Sequence, residues 1–121
     1  MGSLLKAICP CEFESELLHA GGGFMTVADI LYAPAYCRHC RTLVIADYYK
    51  KDPKCETCGK TLTFYNDATL HSPEKLNEAH PPVFEWGAFN SGEGFVLPDT
   101  AYLCPFCGKK TLQFIDVGNW D

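Results

Sequence analysis

The sequence lacks any apolar run long enough to cross a bilayer. Its best stretch, GFMTVADILYAPAY, is broken by Asp29 and by two turn-like interruptions. It also lacks the marks of an export signal. MGSLLKAICPC has one lysine, too short an apolar segment and no small-residue cleavage site. Lys6 stands where a myristoylation motif beginning at Gly2 requires Ser or Thr. These absences give the expectation of a soluble, cytoplasmic protein in a reducing compartment, with no membrane partner.

Positive charge is scarce. Ten Lys and Arg face fifteen Asp and Glu, for a net charge of −5, which disfavours nucleic acid as a general partner. The exception is local: Arg38, Arg41, Lys50, Lys51, Lys54 and Lys60 crowd residues 37–60. Catalytic signatures are missing as well. The chain has no Walker loop, no G-x-S-x-G elbow and no H-E-x-x-H, so no catalytic residue, no organic cofactor and no enzyme activity is expected. The GGG run at 21–23 is not followed by Lys-Ser or Lys-Thr and reads as a turn. There are four histidines. His39 sits inside a cysteine pair, where it cannot easily join the same ion, and reads as an exposed turn residue. His71, Glu74, Glu78 and His80 read as part of a solvated acidic helix rather than a metal site.

Cysteine is abundant. The eight stand at positions 9, 11, 37, 40, 55, 58, 104 and 107, each within three residues of another. Neighbouring cysteines cannot staple distant segments as a disulfide framework does. They suit a metal that takes two thiolates from one tight turn and two from another. Two divalent ions held by eight thiolates would bring the net charge to about −9. At 121 residues, 47% apolar and 13% aromatic, the chain fits a single compact domain, 1–121, with a modest core.

A repeat surrounds the cysteines. CRHCRTLVIAD (37–47), CETCGKTLTFYND (55–67) and CPFCGKKTLQFID (104–116) each place a cysteine pair before Thr-Leu and a β-prone run. CPCEFESELLHA (9–20) follows more loosely. Its acidic residues alternate with Phe13, Ser15 and Leu17, which predicts a half-exposed strand. Gly59 and Gly108 follow two of the pairs, where a residue with positive φ lets the chain leave as a strand. Arg41 and Glu12 hold the same place in the other two. Those turns must leave at another angle or strain a residue that has a Cβ.

Elsewhere the pattern is strand and turn. LLKAI (4–8) predicts a strand, and VFEW (83–86) with FVLPDTAYLC (95–104) predicts a hairpin across NSGEG. TVADILYAPAYC (26–37) fits an extended approach or one helical turn. Residues 66–82 read as a linker-like insertion. Within it a short helix near 72–79 would start at Ser72 and Pro73. Trp120 reads as a core plug. The expected fold is small, all-β and metal-stabilised, with short antiparallel hairpins.

Four cysteine pairs make two four-thiolate sites. A nested arrangement joins Cys37, Cys40, Cys55 and Cys58 on one ion and Cys9, Cys11, Cys104 and Cys107 on the other; a sequential one joins neighbouring pairs. The 14 residues between Cys40 and Cys55 and the likeness of the middle pairs favour nesting, while loop-closure entropy, roughly 0.6 kcal/mol per doubling of length, decides little. At these residues the chain resembles the zinc-ribbon, or rubredoxin-like, superfamily. YCRHCRTLV and KCETCGKTL look like its two knuckles, and LCPFCGKKTL like another. The likeness covers 36–65 and 102–114 well and 9–13 weakly. The Pro-Cys ordering and the VGNWD tail also look like the layout of small bacterial proteins with zinc-ribbon sites. The resemblance implies paired β-hairpin knuckles across an ion, usually zinc, and no particular activity.

Closed four-sulfur sites build a fold and do no chemistry. The chain therefore reads as a non-catalytic protein with two zinc ions, serving as a protein-interaction or adaptor module. PPVFEWGAF (81–89) is a candidate contact loop, unless Phe84 and Trp86 are core. Alternatives are nucleic-acid binding through 38–60, where Tyr48 and Tyr49 interleave with cations, a rubredoxin-like iron electron carrier, or a zinc redox switch.

Overall fold

The computed structural model describes residues 2–21, 31–50, 52–72, 82–86 and 95–120, with the backbone alone at Trp86 and Trp120. The described chain is built from nine strands: β1 Gly2–Ile8, β2 Leu18–Gly21, β3 Tyr32–Cys37, β4 Thr42–Asp47, β5 Thr63–Phe64, β6 Phe84–Trp86, β7 Phe95–Leu97, β8 Tyr102–Leu103 and β9 Lys110–Trp120. Among the described residues the only helical piece is a 3₁₀ turn at Ala68–Leu70. The fold is small, all-β and antiparallel, as composition and turn spacing predict. No helix among the described residues is long and apolar enough to cross a membrane.

One sheet runs in the order β4-β3-β2-β1-β9-β8, with β5 also on β3, and β6 and β7 form a separate hairpin. The longest pairing joins the first and last strands, from Gly2↔Trp120 to Ile8↔Gln113. Its register shifts between Leu4 and Leu5, where Leu4 faces Gly118 and Leu5 faces Asp116, so Val117 is an extra residue that bends β9. Leu5 and Ala7 of β1 point inward with Leu112 and Phe114 of β9, the alternation a half-buried antiparallel pair requires.

Pro34 sits inside β3, where a missing N–H would ordinarily break a ladder. Here β4 pairs along all of β3 on one side, while on the other β2 touches only at Tyr32 and β5 only at Ala35 and Tyr36. Pro34 faces the gap, and its carbonyl accepts from Tyr65 N at 3.0 Å. Residues 32–37 of the ambiguous approach segment are thus extended. So is the run after Cys11, with a correction. Exposure alternates over Glu12–Glu16 as predicted, yet the only ladder contact there is the bridge Ile8↔Glu14, and the strand begins at Leu18. Ser15 explains it: its Oγ accepts from Ala7 N at 2.9 Å in place of a backbone carbonyl.

The larger core is aromatic. Tyr65, Tyr102 and Phe114 meet edge to face in a mutual triangle with centroids 5.1–6.0 Å apart. Tyr65 Oη donates to Leu103 O, and Tyr102 Oη donates to Pro98 O, so both buried phenols are satisfied. Burial raises both phenol pKa values well above the usual range. Residues 66–72, the described start of the segment read as an insertion, join this core. Leu70 is fully buried, and His71 Nε2 bonds Tyr65 O at 2.8 Å while its ring packs on Tyr102. Glu74, Glu78, His80 and the helix expected from Pro73 onward lie outside the described residues. A second, smaller core gathers Ala35, Cys37, Cys55 and Leu62.

Candidate metal centres

Three C-x-x-C turns share one backbone circuit. The carbonyl of the first cysteine accepts from the residue after the second, in Cys37 with Arg41 N, Cys55 with Gly59 N and Cys104 with Gly108 N, at 2.8–3.0 Å. The N–H of Cys55 then donates to Lys60 O, and that of Cys104 to Lys109 O. The C-x-C turn closes the same circuit with one residue fewer: Glu12 N donates to Cys9 O, and Cys9 N to Phe13 O, both at 3.0 Å. The fourth pair is a knuckle by construction.

The conformation at the exit confirms it. Gly59 and Gly108 have φ of 74° and 73°, and Arg41 and Glu12 have φ of 56° and 80°. Of the two outcomes open to those residues, the structure takes strain.

These knuckles bring the eight sulfurs into two groups, Cys9 with Cys11, Cys104 and Cys107, and Cys37 with Cys40, Cys55 and Cys58. This is the nested arrangement. Within each group all sulfurs lie within 4.8 Å of one another. The closest cross-knuckle pairs are Cys9 to Cys107 at 3.8 Å, Cys11 to Cys104 at 3.7 Å, Cys37 to Cys58 at 3.5 Å and Cys40 to Cys55 at 3.9 Å. A tetrahedron of sulfurs each about 2.3 Å from a central ion has edges of about 3.8 Å. A disulfide would hold its sulfurs at about 2.05 Å, and all eight cysteines are free. Both groups therefore fit a tetrahedral metal ion.

In each group two sulfurs are buried (Cys9 and Cys104; Cys37 and Cys55) and two are half-exposed. The backbone supplies part of the thiolate stabilisation. Cys40 N points to Cys37 Sγ at 3.3 Å and Cys107 N to Cys104 Sγ at 3.5 Å. Backbone N–H groups of Cys58 and Thr57 hold the Cys55 thiol down to about 6, and that of Lys109 holds Cys107 to about 7. Others move the opposite way. The Cys58 side chain and then burial push Cys40 up to about 12, and burial above all pushes Cys104 up to about 12. Four thiols this close cannot all carry charge without a cation among them.

Sequence reasoning singled out the Thr-Leu that follows three knuckles without assigning a task to the threonine. In the first site Thr111 Oγ1 lies 3.0 Å from Cys9 Sγ. Burial disfavours charge on Cys9, but the Thr111 hydroxyl and then the backbone at Cys11 outweigh it and lower the thiol pKa. The leucine that follows is buried in two of the three, Leu62 and Leu112, and half-buried in the third, Leu43. His39 is exposed and outside both groups. Of the aromatics near the knuckles, Tyr65 and Phe114 are core, whereas Phe106 is 75% exposed.

Comparison with protein-family models, with curated proteins and with solved structures gives no match to this chain. The two cysteine groups fit zinc-ribbon-like sites on their geometry alone.

Proposed function

We propose that the chain is a non-catalytic protein that binds two zinc ions structurally and presents a rigid β surface to a protein partner. The closure of both sites carries the reading. Each ion position is enclosed by four cysteine sulfurs, a full tetrahedral set that leaves no place for water or substrate. The two cores explain why metals are needed: the smaller one contains two of its own ligands, Cys37 and Cys55, and has little else to hold it.

The partner is read as protein because three of the features suggesting nucleic acid, Tyr48, Arg38 and Lys54, already have contacts within the fold. Tyr48 packs edge to face on Phe64 and Phe95, each at 5.0 Å, so it is not a free stacking platform. Arg38 bonds Thr69, and Lys54 pairs with Asp52 at 3.0 Å. Phe84 of the candidate contact loop is core, at 3% exposure.

Elemental analysis of protein made without added metal tests the reading. Two zinc per chain supports it. Iron in place of zinc redirects it to electron transfer, and little or no metal overturns it.

A further inference from the structure

Among the described residues the outer edge of β4 has no strand beside it and lies between two concavities. β4 ends the sheet, with β3 on one side and no strand on the other among the described residues. Its register tells which backbone groups face outward. Ile45 lies opposite Pro34 and Leu43 opposite Tyr36. Pro34 has no N–H, and its carbonyl is given to Tyr65, away from β4. Pro34↔Ile45 is therefore a non-hydrogen-bonded pair. Antiparallel alternation then turns Thr42, Val44 and Ala46 inward to β3, and points the N–H and C=O of Leu43 and Ile45 outward.

The side chains alternate too. Leu43 and Ile45 pack toward the larger core, Val44 and Ala46 toward the smaller. On the first side a groove of 590 Å³ runs between β4 and residues 13–18, with Leu17 and Phe106 at its mouth. On the second, a hollow of 330 Å³ lies between β4 and the Cys55 knuckle, with Pro53 and Leu62 in its wall. Val44 and Ile45 wall both. Two large apolar side chains are exposed at the groove mouth, Leu17 at 52% and Phe106 at 75%.

Charge narrows the occupant. The wall opposite β4 carries Glu14 and Glu16, and the groove continues past Phe106 to Glu12 and Cys11. Lys6 neutralises Glu14 at 2.6 Å, which leaves Glu12 and Glu16 exposed, with Arg41 the cation in the facing wall. Four thiolates around one divalent ion at the neighbouring cysteine group would add net negative charge beside them.

We propose that β4 receives an extended segment of a partner protein, added as a further antiparallel or parallel strand. Its apolar side chains would alternate into the two concavities, and its lysine or arginine would face Glu12 and Glu16. Main-chain bonds to Leu43 and Ile45 supply affinity, and the pockets on alternate faces supply selectivity. A second copy of this chain is the poorer occupant, because it carries the same acidic wall and a net charge of −5. The inference rests on the reading of the chain as a protein-interaction module and names its surface.

The test uses the intact chain as isolated and a displayed library of random short peptides. Selected peptides are expected to alternate apolar residues and to carry Lys or Arg. In the free protein the amides of Leu43 and Ile45 should exchange fast and those of Val44 and Ala46 slowly. Binding a selected peptide should protect Leu43 and Ile45. Leu17→Lys, at an exposed position, should weaken binding about tenfold or more while the amide spectrum stays native. The proposal is overturned if no peptide is selected, if selected peptides are acidic, or if Leu43 and Ile45 are already protected in the free chain. It is equally overturned if peptides bind without protecting them. Zinc is assayed on the same sample. A two-zinc protein that takes no peptide overturns the docking surface alone, whereas a folded chain without metal overturns the zinc reading and leaves the peptide result to be judged separately.

Discussion

Arg41 and Gly59 hold the same place in two facing knuckles with the same left-handed backbone, φ 56° and 74°. Glycine adopts that conformation freely, and a residue with a Cβ gives up about 1–2 kcal/mol there. Arg41→Gly is expected to stabilise the metal-loaded protein by about 0.5–1 kcal/mol, since glycine's own chain entropy offsets part of the relief. Gly59→Ala, which meets no neighbouring atom within 4 Å and so isolates the backbone effect, is expected to destabilise it by about 1–2 kcal/mol. Denaturant titration of both variants checks the pair of signs.

Thr111, on β9, reaches Cys9 at the end of the neighbouring β1. Thr111→Val keeps the shape and removes the hydroxyl, so on the zinc reading an ion held by Cys9, Cys11, Cys104 and Cys107 should exchange about tenfold faster. Zinc release to a chromophoric chelator measures it. The other site serves as internal control and should keep its rate.

The two sites differ in what they support. Cys9 and Cys104 belong to the larger core, Cys37 and Cys55 to the smaller. On the two-zinc reading, Cys104→Ser should drop the metal from two to one per chain and disorder the β1–β9 pair with it. Cys55→Ser should also lose one zinc, yet leave the Tyr65, Tyr102 and Phe114 signals native. Amide spectra of the two variants, read beside their metal content, settle the comparison.

Asp67 caps the 3₁₀ turn. Its Oδ1 accepts from Thr69 N at 2.8 Å and from Thr69 Oγ1 at 2.7 Å. The backbone bond first, then the hydroxyl, holds its carboxyl below the ordinary value of 3.8. A depressed carboxyl contributes stability fully above its unfolded pKa and loses it as pH falls through the folded one. Asp67→Ala should therefore cost about 1 kcal/mol, and that cost should be flat between about pH 6 and 8. A cost that varies across this window would contradict the assignment.

Tyr65 donates its hydroxyl to Leu103 O from a fully buried position. Tyr65→Phe leaves that carbonyl without its partner and should destabilise by about 1–3 kcal/mol. Equilibrium unfolding at fixed zinc concentration gives the value.

The cysteine spacing made the sites legible, because a knuckle is a local object. Two thiols, a tight turn and a following glycine lie within five residues, and at Arg41 and Glu12 the positions alone left two outcomes, another exit angle or strain, which the backbone φ decides. The partnering of Cys9 and Cys11 with Cys104 and Cys107 was legible only as a preference, since chain entropy discriminates weakly between long loops. The sheet was less readable. Nothing local in GSLLKAI says that it pairs with KTLQFIDVGNW, nor that Val117 will bulge, because register is fixed by packing between residues about a hundred positions apart. Ser15 shows another limit: a side-chain oxygen took over a ladder bond, so a correct pattern of exposure did not make a strand. Residues 66–72 looked like linker because their polarity hid the roles of Leu70 and His71, which are set by Tyr65 and Tyr102.

The nested arrangement also imposes an order of events on a growing chain. Cys37 through Cys58 span 21 positions and are complete early. Cys11 must wait for Cys104, 93 positions later. At ordinary rates of synthesis that interval is roughly 5–20 s. Throughout it the CPC pair stands as an unengaged dithiol, open to oxidants, to stray metal and to the cell's redox enzymes. Its vulnerable moment falls before the protein is finished, not after.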